Sequence, residues 1–197
     1  LNDVERAAIS AEFGVAPVVE GLLLGGYTYT GMKSQAEVAD DENSDAETPQ
    51  TTEVTVVGAD EAEYNAAVIV AESVNLARDL VNTPANYLYP ESYASVMGEV
   101  ASTAGLDIEV LDESALEEQG FGGILSVGRG SSRPPRLVHL TWAPSGASKK
   151  VALVGKGITF DTGGISLKPG SGMEDMISDM GGSAAQLAAV SYTHLRA

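Results

Sequence analysis

After residue 60 the hydrophobic residues switch repeatedly between the spacing of a helix and the alternation of a strand. The longest helical pattern runs from Glu61 to Val81 and ends before Pro84, because the residue before a proline avoids helical conformation. Its apolar face recurs at three- and four-residue steps, at Ala66, Val70, Val74, Ala77 and Leu80. Further helices are predicted at Glu91–Ala104, Glu113–Gln119 and Met180–Val190, and strands at Asp107–Leu111, Leu137–Trp142 and Lys150–Val154. Strands separated by helices predict an α/β fold with a sheet that helices cover on both faces.

The first 60 residues have a different pattern. We predict helices at Asn2–Glu12 and Val18–Leu24, and a strand at Val54–Val57. Between them, Glu37–Glu53 contains seven acidic residues and no Lys or Arg, which is typical of a solvated loop. The chain is therefore expected to divide into residues 1–60, an α/β piece with an acidic loop, and residues 61–197, which begin with a connector helix.

Charge and composition exclude several classes of function. The chain carries 28 acidic and 11 basic side chains, a net charge of -17, which repels phosphate backbones and disfavours nucleic acid as a partner. It has no cysteine, so disulfides, thiolate zinc sites and cysteine nucleophiles are excluded. Its apolar runs fall short of the roughly 20 residues that span a bilayer, so no membrane partner is expected. Leu1 stands where an initiator Met would, and we expect the true start to lie upstream.

The segment from Lys156 to Pro169 combines glycines with charged residues directly after a predicted strand. Open α/β sheets usually bind ligands at this end of a strand. A phosphate-binding P-loop does not fit, because Gly157 stands where Ser or Thr should follow Gly155-Lys156. A dinucleotide fingerprint does not fit either, since its third glycine is replaced by Phe160 here and by Arg133 after Gly128-Arg-Gly130.

The run from Val154 to Ala185, VGKGITFDTGGISLKPGSGMEDMISDMGGSAA, resembles the active-site region of the leucyl (cytosol) aminopeptidases, the M17 metallopeptidases. Ala77–Pro84, Val127–Ser131 and Arg133–Arg136 also look like segments of that family. The resemblance implies the first half of a mixed-sheet catalytic domain flanked by helices, preceded by the end of a smaller α/β domain. It also implies a cytoplasmic aminopeptidase that removes N-terminal residues, preferably leucine, from peptides, and that forms a homo-oligomer, a hexamer in the family.

The same resemblance assigns a role to each candidate site residue. Lys156 and Asp179 would bind one metal, and Asp161 would bridge two divalent ions, Mn²⁺ or Zn²⁺. Lys156 must lose its proton for this, which a divalent cation favours. Lys168 would stay protonated and stabilise the oxyanion of the attacked peptide carbonyl. Met176 would line the pocket for the first side chain of the substrate.

Each residue taken alone has a simpler interpretation. The two lysines can be solvated, the two aspartates can be turn or cap residues, and Met176 can belong to the core. His139 lies within a predicted strand with no second histidine nearby, so we interpret it as structural. It is the joint occurrence in the family's order that favours a metallopeptidase. The alternative is a degenerate homologue that binds a partner or ligand without turnover.

The chain departs from the family at its end. No downstream segment resembles Asn-Thr-Asp-Ala-Glu-Gly-Arg, whose carboxylates complete the family's metal shell. The last seven residues, from Ser191 to Ala197 and including His194, look like translated adapter DNA, and we expect them to be non-native. Ile177 also stands where the family commonly has Lys or Arg. We therefore expect a fragment truncated at both ends, with weak metal binding and no useful hydrolysis by itself.

Overall fold

The computed structural model describes residues 6–31 and 53–195, with side chains as far as residue 192. Most of the predicted acidic loop and the His194 side chain lie outside this description. The chain divides into two compact units, Leu1–Asn75 and Leu76–Ala197. This division falls inside one long helix, and the predicted domain boundary after residue 60 stays a prediction.

The first unit contains a parallel pair of strands. Strand β1 (Arg6–Ser10) pairs with β2 (Glu53–Val57), in a register that joins Arg6 to Glu53 and Ser10 to Val57. The predicted helix at Asn2–Glu12 is therefore wrong over its described residues. Its small residues fit a helix locally, but pairing with a distant strand overrides local propensity. An exposed ion pair between Arg6 and Glu53, with nitrogen and oxygen 3.1 Å apart, lies at the start of the ladder.

Two helices complete the first unit's core. Helix α1 (Val15–Gly25) confirms the predicted helix there, and α2 (Glu61–Asn82) confirms the long helix. Val15 and Val19 of α1 pack with Ala67 of α2 in a buried cluster. The Asp60 carboxylate accepts hydrogen bonds from two amides of the first turn of α2, which caps that helix. One member of its predicted apolar face, Val74, is 37% exposed.

The second unit alternates helices and strands after the end of α2. In chain order it contains α3 (Pro90–Ala104), β3 (Asp107–Leu111), α4 (Glu113–Glu118), α5 (Gly122–Gly128), β4 (Leu137–Thr141) and α6 (Gly181–Leu195). Strands β3 and β4 are antiparallel, with Asp107 opposite Thr141. The predicted α/β class is confirmed.

The core of the second unit lies where α3 packs against α6. Seven buried residues form it: Leu80, Leu88, Tyr93, Met97, Met180, Ala184 and Leu187. Val138 and Leu140 of β4 pack against this cluster from the strand side. Two smaller buried clusters are centred on Ala101 and on Leu116, and residues of strand β4 pack against both. Helix α6 is thus anchored at its first turns, next to the candidate site residues.

Three sequence predictions differ from the structure of the second unit. Residues 150–154 form no strand, and Val151 and Val154 are 82% and 90% exposed. A strand needs a hydrogen-bonded neighbour, and no ladder to this segment occurs within the described residues. Helix α5 was not predicted, because Gly122-Gly123 is a poor helix start. Helix α6 continues to Leu195, into the segment expected to be non-native, and that expectation stays a prediction.

Among the described residues, no helix is long and apolar enough to cross a membrane.

Candidate functional site

The candidate residues lie in a long loop and the short helix that follows it. Residues 149–173 contain neither helix nor strand and carry Lys156, Asp161 and Lys168. A 3-10 helix (Glu174–Ser178) follows and carries Met176, and Asp179 comes directly after it. All five predicted site residues therefore precede helix α6 within the second unit.

Lys168 and Asp161 form one close pair. The Lys168 Nζ lies 2.6 Å from Asp161 Oδ2 and also donates to the Asp161 backbone carbonyl at 3.3 Å. The other carboxylate oxygen, Oδ1, accepts the Gly163 amide at 2.8 Å. The hydrogen bond from Lys168, with help from the Gly163 amide, lowers the pKa of Asp161 below its ordinary value, so the group is an anion near neutral pH.

A glycine turn makes this pair possible. Gly163 has a φ of 89°, and a side chain there would overlap the Ser166 carbonyl oxygen. The turn is closed by the Lys168 amide, which donates to the Thr162 carbonyl at 2.9 Å. The turn brings Lys168 next to Asp161, seven residues earlier in the chain. Only glycine fits at residue 163, because the φ is positive and there is no space for a side chain.

Lys156 and Asp179 form the second pair. The Lys156 Nζ donates to Asp179 Oδ1 at 2.7 Å, and the lysine side chain is 58% exposed against 17% for the aspartate. The second oxygen of Asp179, Oδ2, is buried and has no hydrogen-bond partner among the described residues. A buried carboxylate oxygen without a partner is costly, so this atom is suited to a cation.

The Lys156 loop lies directly on the start of helix α6. The Ser183 amide donates to the Lys156 carbonyl at 2.9 Å. A methyl group on Gly155 would come within 2.5 Å of the Ser183 Cα, and one on Gly182 within 3.1 Å of the Lys156 nitrogen. Small residues on both sides let two backbones touch here. Gly157 lies against the Ser183 side chain, because a methyl group there would come within 3.3 Å of the Ser183 hydroxyl oxygen.

The two pairs act on one another. The Lys156 charge contributes to lowering the pKa of Asp161, although less than the contact with Lys168 does. The structure therefore brings four predicted residues together as two lysine–carboxylate pairs. The fifth, Met176, is half-buried, and its carbonyl accepts the Asp179 amide at 3.2 Å. Its predicted contact with substrate stays a prediction.

The donor set is unusual for a metal site. No cluster of three His, Cys, Asp or Glu side chains occurs within residues 6–31 and 53–195. A cation held by Lys156, Asp161 and Asp179 therefore depends on the lysine amine. The one histidine with a described side chain, His139, is exposed on β4, and its Nδ1 lies 3.7 Å from Glu109 Oε2 on the neighbouring strand.

Sequence reasoning missed the residues that support the Lys156 loop. Ser183 is buried, and its hydroxyl lies 3.0 Å from the hydroxyl of the buried Tyr93 on α3. The run Gly181-Gly182-Ser183 at the start of a helix was an available signal, since small residues there indicate a close backbone approach. Nothing in the sequence pointed to Tyr93, which is 90 residues away.

The chain is similar to known proteins over most of its length. The model of the cytosol aminopeptidase family, catalytic domain, matches residues 75–196. A protein of Corynebacterium diphtheriae named as a probable cytosol aminopeptidase is 56% identical over 184 residues, which cover 90% of this chain and 35% of that protein. A similarly named protein of Corynebacterium efficiens is 54% identical over 96% of this chain and 37% of its own length.

Solved structures agree with the sequence relatives. The apo leucyl aminopeptidase of Trypanosoma cruzi superposes with a TM-score of 0.81 at 30% identity, over 99% of this chain and 38% of that one. The bottromycin maturation enzyme BotP in complex with Mn superposes with a TM-score of 0.77 at 39% identity, over 92% of this chain and 36% of that one. The chain thus spans little more than a third of the length of these proteins. It belongs to the cytosol aminopeptidase family.

Proposed function

We propose that this chain is part of a metal-dependent aminopeptidase that removes N-terminal residues, preferably leucine, from peptides. The observation that carries the proposal is the buried, unpartnered Oδ2 of Asp179, in a carboxylate that already contacts the Lys156 amine. The relatives named as cytosol aminopeptidases support the same reaction and a cytosolic location. By family resemblance we also propose a homohexamer.

The residues fit two divalent cations. By family resemblance, Lys156 and Asp179 would hold one divalent ion, and Asp161 would be a ligand of both. A cation can replace the proton that Lys156 now donates to Asp179 Oδ1, and it would also satisfy the unpartnered Oδ2. When bound, such ions activate water and polarise the scissile carbonyl. The manganese in the BotP complex favours Mn²⁺, and the oxygen and amine donors here also suit Zn²⁺.

Lys168 and Asp161 prepare the site for the substrate. The Lys168 ammonium holds Asp161 as an anion. Its charge is proposed to stabilise the negative charge that would develop on the attacked carbonyl. The turn at Gly163 holds this pair together in the absence of substrate. Met176 is proposed to contact the first side chain of the peptide.

The proposed metal site of the 197-residue chain has three protein ligands, Lys156, Asp161 and Asp179. We infer that the chain binds Mn²⁺ weakly but measurably, and that by itself it does not hydrolyse leucine amide at a useful rate. Leucine-amide hydrolysis by the purified chain would contradict this inference.

Heat stabilisation by Mn²⁺ tests the metal site itself. We expect Mn²⁺ to raise the unfolding temperature of the chain, and Asp161→Asn to abolish that rise. Asp175→Asn is the matched control, because Asp175 lies on the 3-10 helix beside the site and is exposed. If Mn²⁺ stabilises neither the original chain nor the control, the site does not bind metal, and the non-catalytic alternative becomes the better account.

A further inference from the structure

Ser183 holds the Lys156 backbone from three sides. Its amide donates to the Lys156 carbonyl at 2.9 Å. Its Cα lies against Gly155, and its hydroxyl lies 3.3 Å from the point where a methyl group on Gly157 would be. The residues before and after Lys156 therefore both pack on one serine. Because residues 149–173 form no helix or strand, this contact with α6 substitutes for the support that a strand would give.

The Ser183 hydroxyl is itself fixed by the core. The Ser183 O–H donates to the Met180 carbonyl at 2.8 Å, and its oxygen lies 3.0 Å from the Tyr93 hydroxyl oxygen. A serine hydroxyl has only one proton, and here that proton is used in the hydrogen bond to the Met180 carbonyl. The Tyr93 hydroxyl is therefore the donor in its hydrogen bond with the Ser183 oxygen. Burial raises the pKa of Tyr93, against the opposing effect of the Ser183 hydrogen bond, so the phenol stays protonated and able to donate near neutral pH.

The Tyr93 ring packs in the buried core of the second unit, so its hydroxyl connects Ser183 to that core. Tyr93 is 3% exposed and belongs to the core cluster with Met97, Met180 and Leu187. The connection thus runs from the α3–α6 core through two hydroxyls to the backbone of a candidate metal ligand. By contrast, the other buried serine, Ser73, donates to the Ile69 carbonyl of its own helix and belongs to the first unit.

We propose that Ser183 and Tyr93 are positioning residues, which hold the Lys156 backbone so that its amine stays against Asp179. The proposal rests on the proposed function, because positioning has a purpose only if Lys156 binds metal. Among the described residues, neither hydroxyl forms a hydrogen bond with Asp161, Lys168 or Asp179, so both act through Lys156. Loss of either hydroxyl should let the loop sample positions in which the amine leaves the carboxylate.

The experiment measures Mn²⁺ affinity of the full 197-residue chain by electron paramagnetic resonance, in which bound Mn²⁺ loses the sharp signal of the free ion. The variants are Tyr93→Phe, Ser183→Ala and the double variant, with Ser73→Ala as the control for loss of a buried serine hydroxyl. We expect each single variant to weaken Mn²⁺ binding about tenfold, the lower end of the effect of residues that support metal ligands. The double variant should bind no more weakly than Ser183→Ala, because Tyr93 acts through Ser183.

Amide hydrogen exchange gives a readout that does not need the metal. The exchange rate of the Ser183 amide, measured by NMR in the metal-free chain, should rise about tenfold in Tyr93→Phe. Its bond to the Lys156 carbonyl then opens more often and leaves the amide only its longer bond to the Met180 carbonyl, at 3.0 Å. A variant that was merely less stable would exchange faster throughout its core. Ser73→Ala should leave both Ser183 exchange and Mn²⁺ affinity unchanged.

The outcomes separate the two proposals. If the original chain binds Mn²⁺, Asp161→Asn does not, and Tyr93→Phe and Ser183→Ala bind as the original chain does, the positioning role is overturned and the proposed function stands. Additive effects in the double variant, or unchanged Ser183 exchange in Tyr93→Phe, overturn the positioning role as well. If the original chain binds no Mn²⁺, the proposed function fails, and a positioning role for a metal ligand fails with it.

Discussion

The contact between Gly155 and helix α6 gives the sharpest prediction for the loop. In Gly155→Ala, the added methyl group would lie 2.5 Å from the Ser183 Cα and 2.7 Å from the Gly182 carbonyl oxygen. Carbon atoms in contact are about 3.5 Å apart, so the loop must move by about 1 Å. Both neighbours are backbone atoms of a helix whose first turns pack in the core, so the loop moves rather than the helix.

That displacement has a calculable consequence. The hydrogen bond from the Ser183 amide to the Lys156 carbonyl is 2.9 Å long, and a movement of about 1 Å takes it beyond hydrogen-bonding distance. Overpacking costs about 1–3 kcal/mol and the lost hydrogen bond about 1 kcal/mol, so we expect a loss of about 2–4 kcal/mol. For a chain of this length the unfolding temperature should fall by roughly 5–15 °C.

Circular dichroism during heating measures this effect, with and without Mn²⁺. Gly170→Ala is the matched control, since it lies in the same loop and a methyl group there would contact nothing within 4 Å. It should unfold within a few degrees of the original chain and keep its response to Mn²⁺. If Gly155→Ala matched that control in both respects, the loop would not be seated on α6 as described.

Two further predictions concern pH and the core. The Asp161 pKa is lowered in the folded state from its ordinary value of 3.8, so its stabilising contribution is complete above that pH and disappears as the pH falls through the lower, folded value. NMR titration should show Asp161 ionising below 3.8, and Lys168→Met should raise that pKa; an unshifted Asp161 in the original chain would contradict the close pair. Leu187→Ala should cost about 2–5 kcal/mol in urea unfolding, because the side chain is 2% exposed in the α3–α6 core. Val127→Ala, at 71% exposure, should cost far less, and equal costs would refute the assigned core.

Local patterns were sufficient for the long helices α2 and α3 and for strand β3. Helices α2 and α3 have regular apolar spacing together with clear ends at proline and glycine, so their bounds agree with prediction within one or two residues. Strand β3 alternates and was also predicted. These elements depend mainly on their own residues, which is why the sequence alone indicated them.

Elements that depend on distant partners could not be predicted in this way. Strand β1 contains two alanines and a serine among its five residues, and its conformation is decided by pairing with β2. Each residue of β1 is opposite a residue of β2 that lies 47 positions later in the chain. The opposite error occurred at residues 150–154, where alternation suggested a strand that has no ladder among the described residues. In both cases pairing decides the conformation, and periodicity contains no information about the partner.

The candidate site shows the same limit. Family resemblance supplied the order of Lys156, Asp161, Lys168 and Asp179, and the structure shows how they associate, with each lysine against one carboxylate. The support from Tyr93 and Ser183 was not foreseen, because it joins residues 90 positions apart through a hydrogen bond between two hydroxyls. Such a contact leaves no periodic pattern in the sequence.

The central claim is that a divalent cation binds at Lys156, Asp161 and Asp179, and paramagnetic NMR tests its location directly. Substoichiometric Mn²⁺ broadens the amide signals of residues near the bound ion. We predict that the signals of these three residues and of Gly163 disappear first, and that Asp161→Asn restores them. With a net charge of -17 the chain has many other acidic groups that could attract Mn²⁺. Broadening confined to residues 37–53, with the loop signals intact, would contradict the claim.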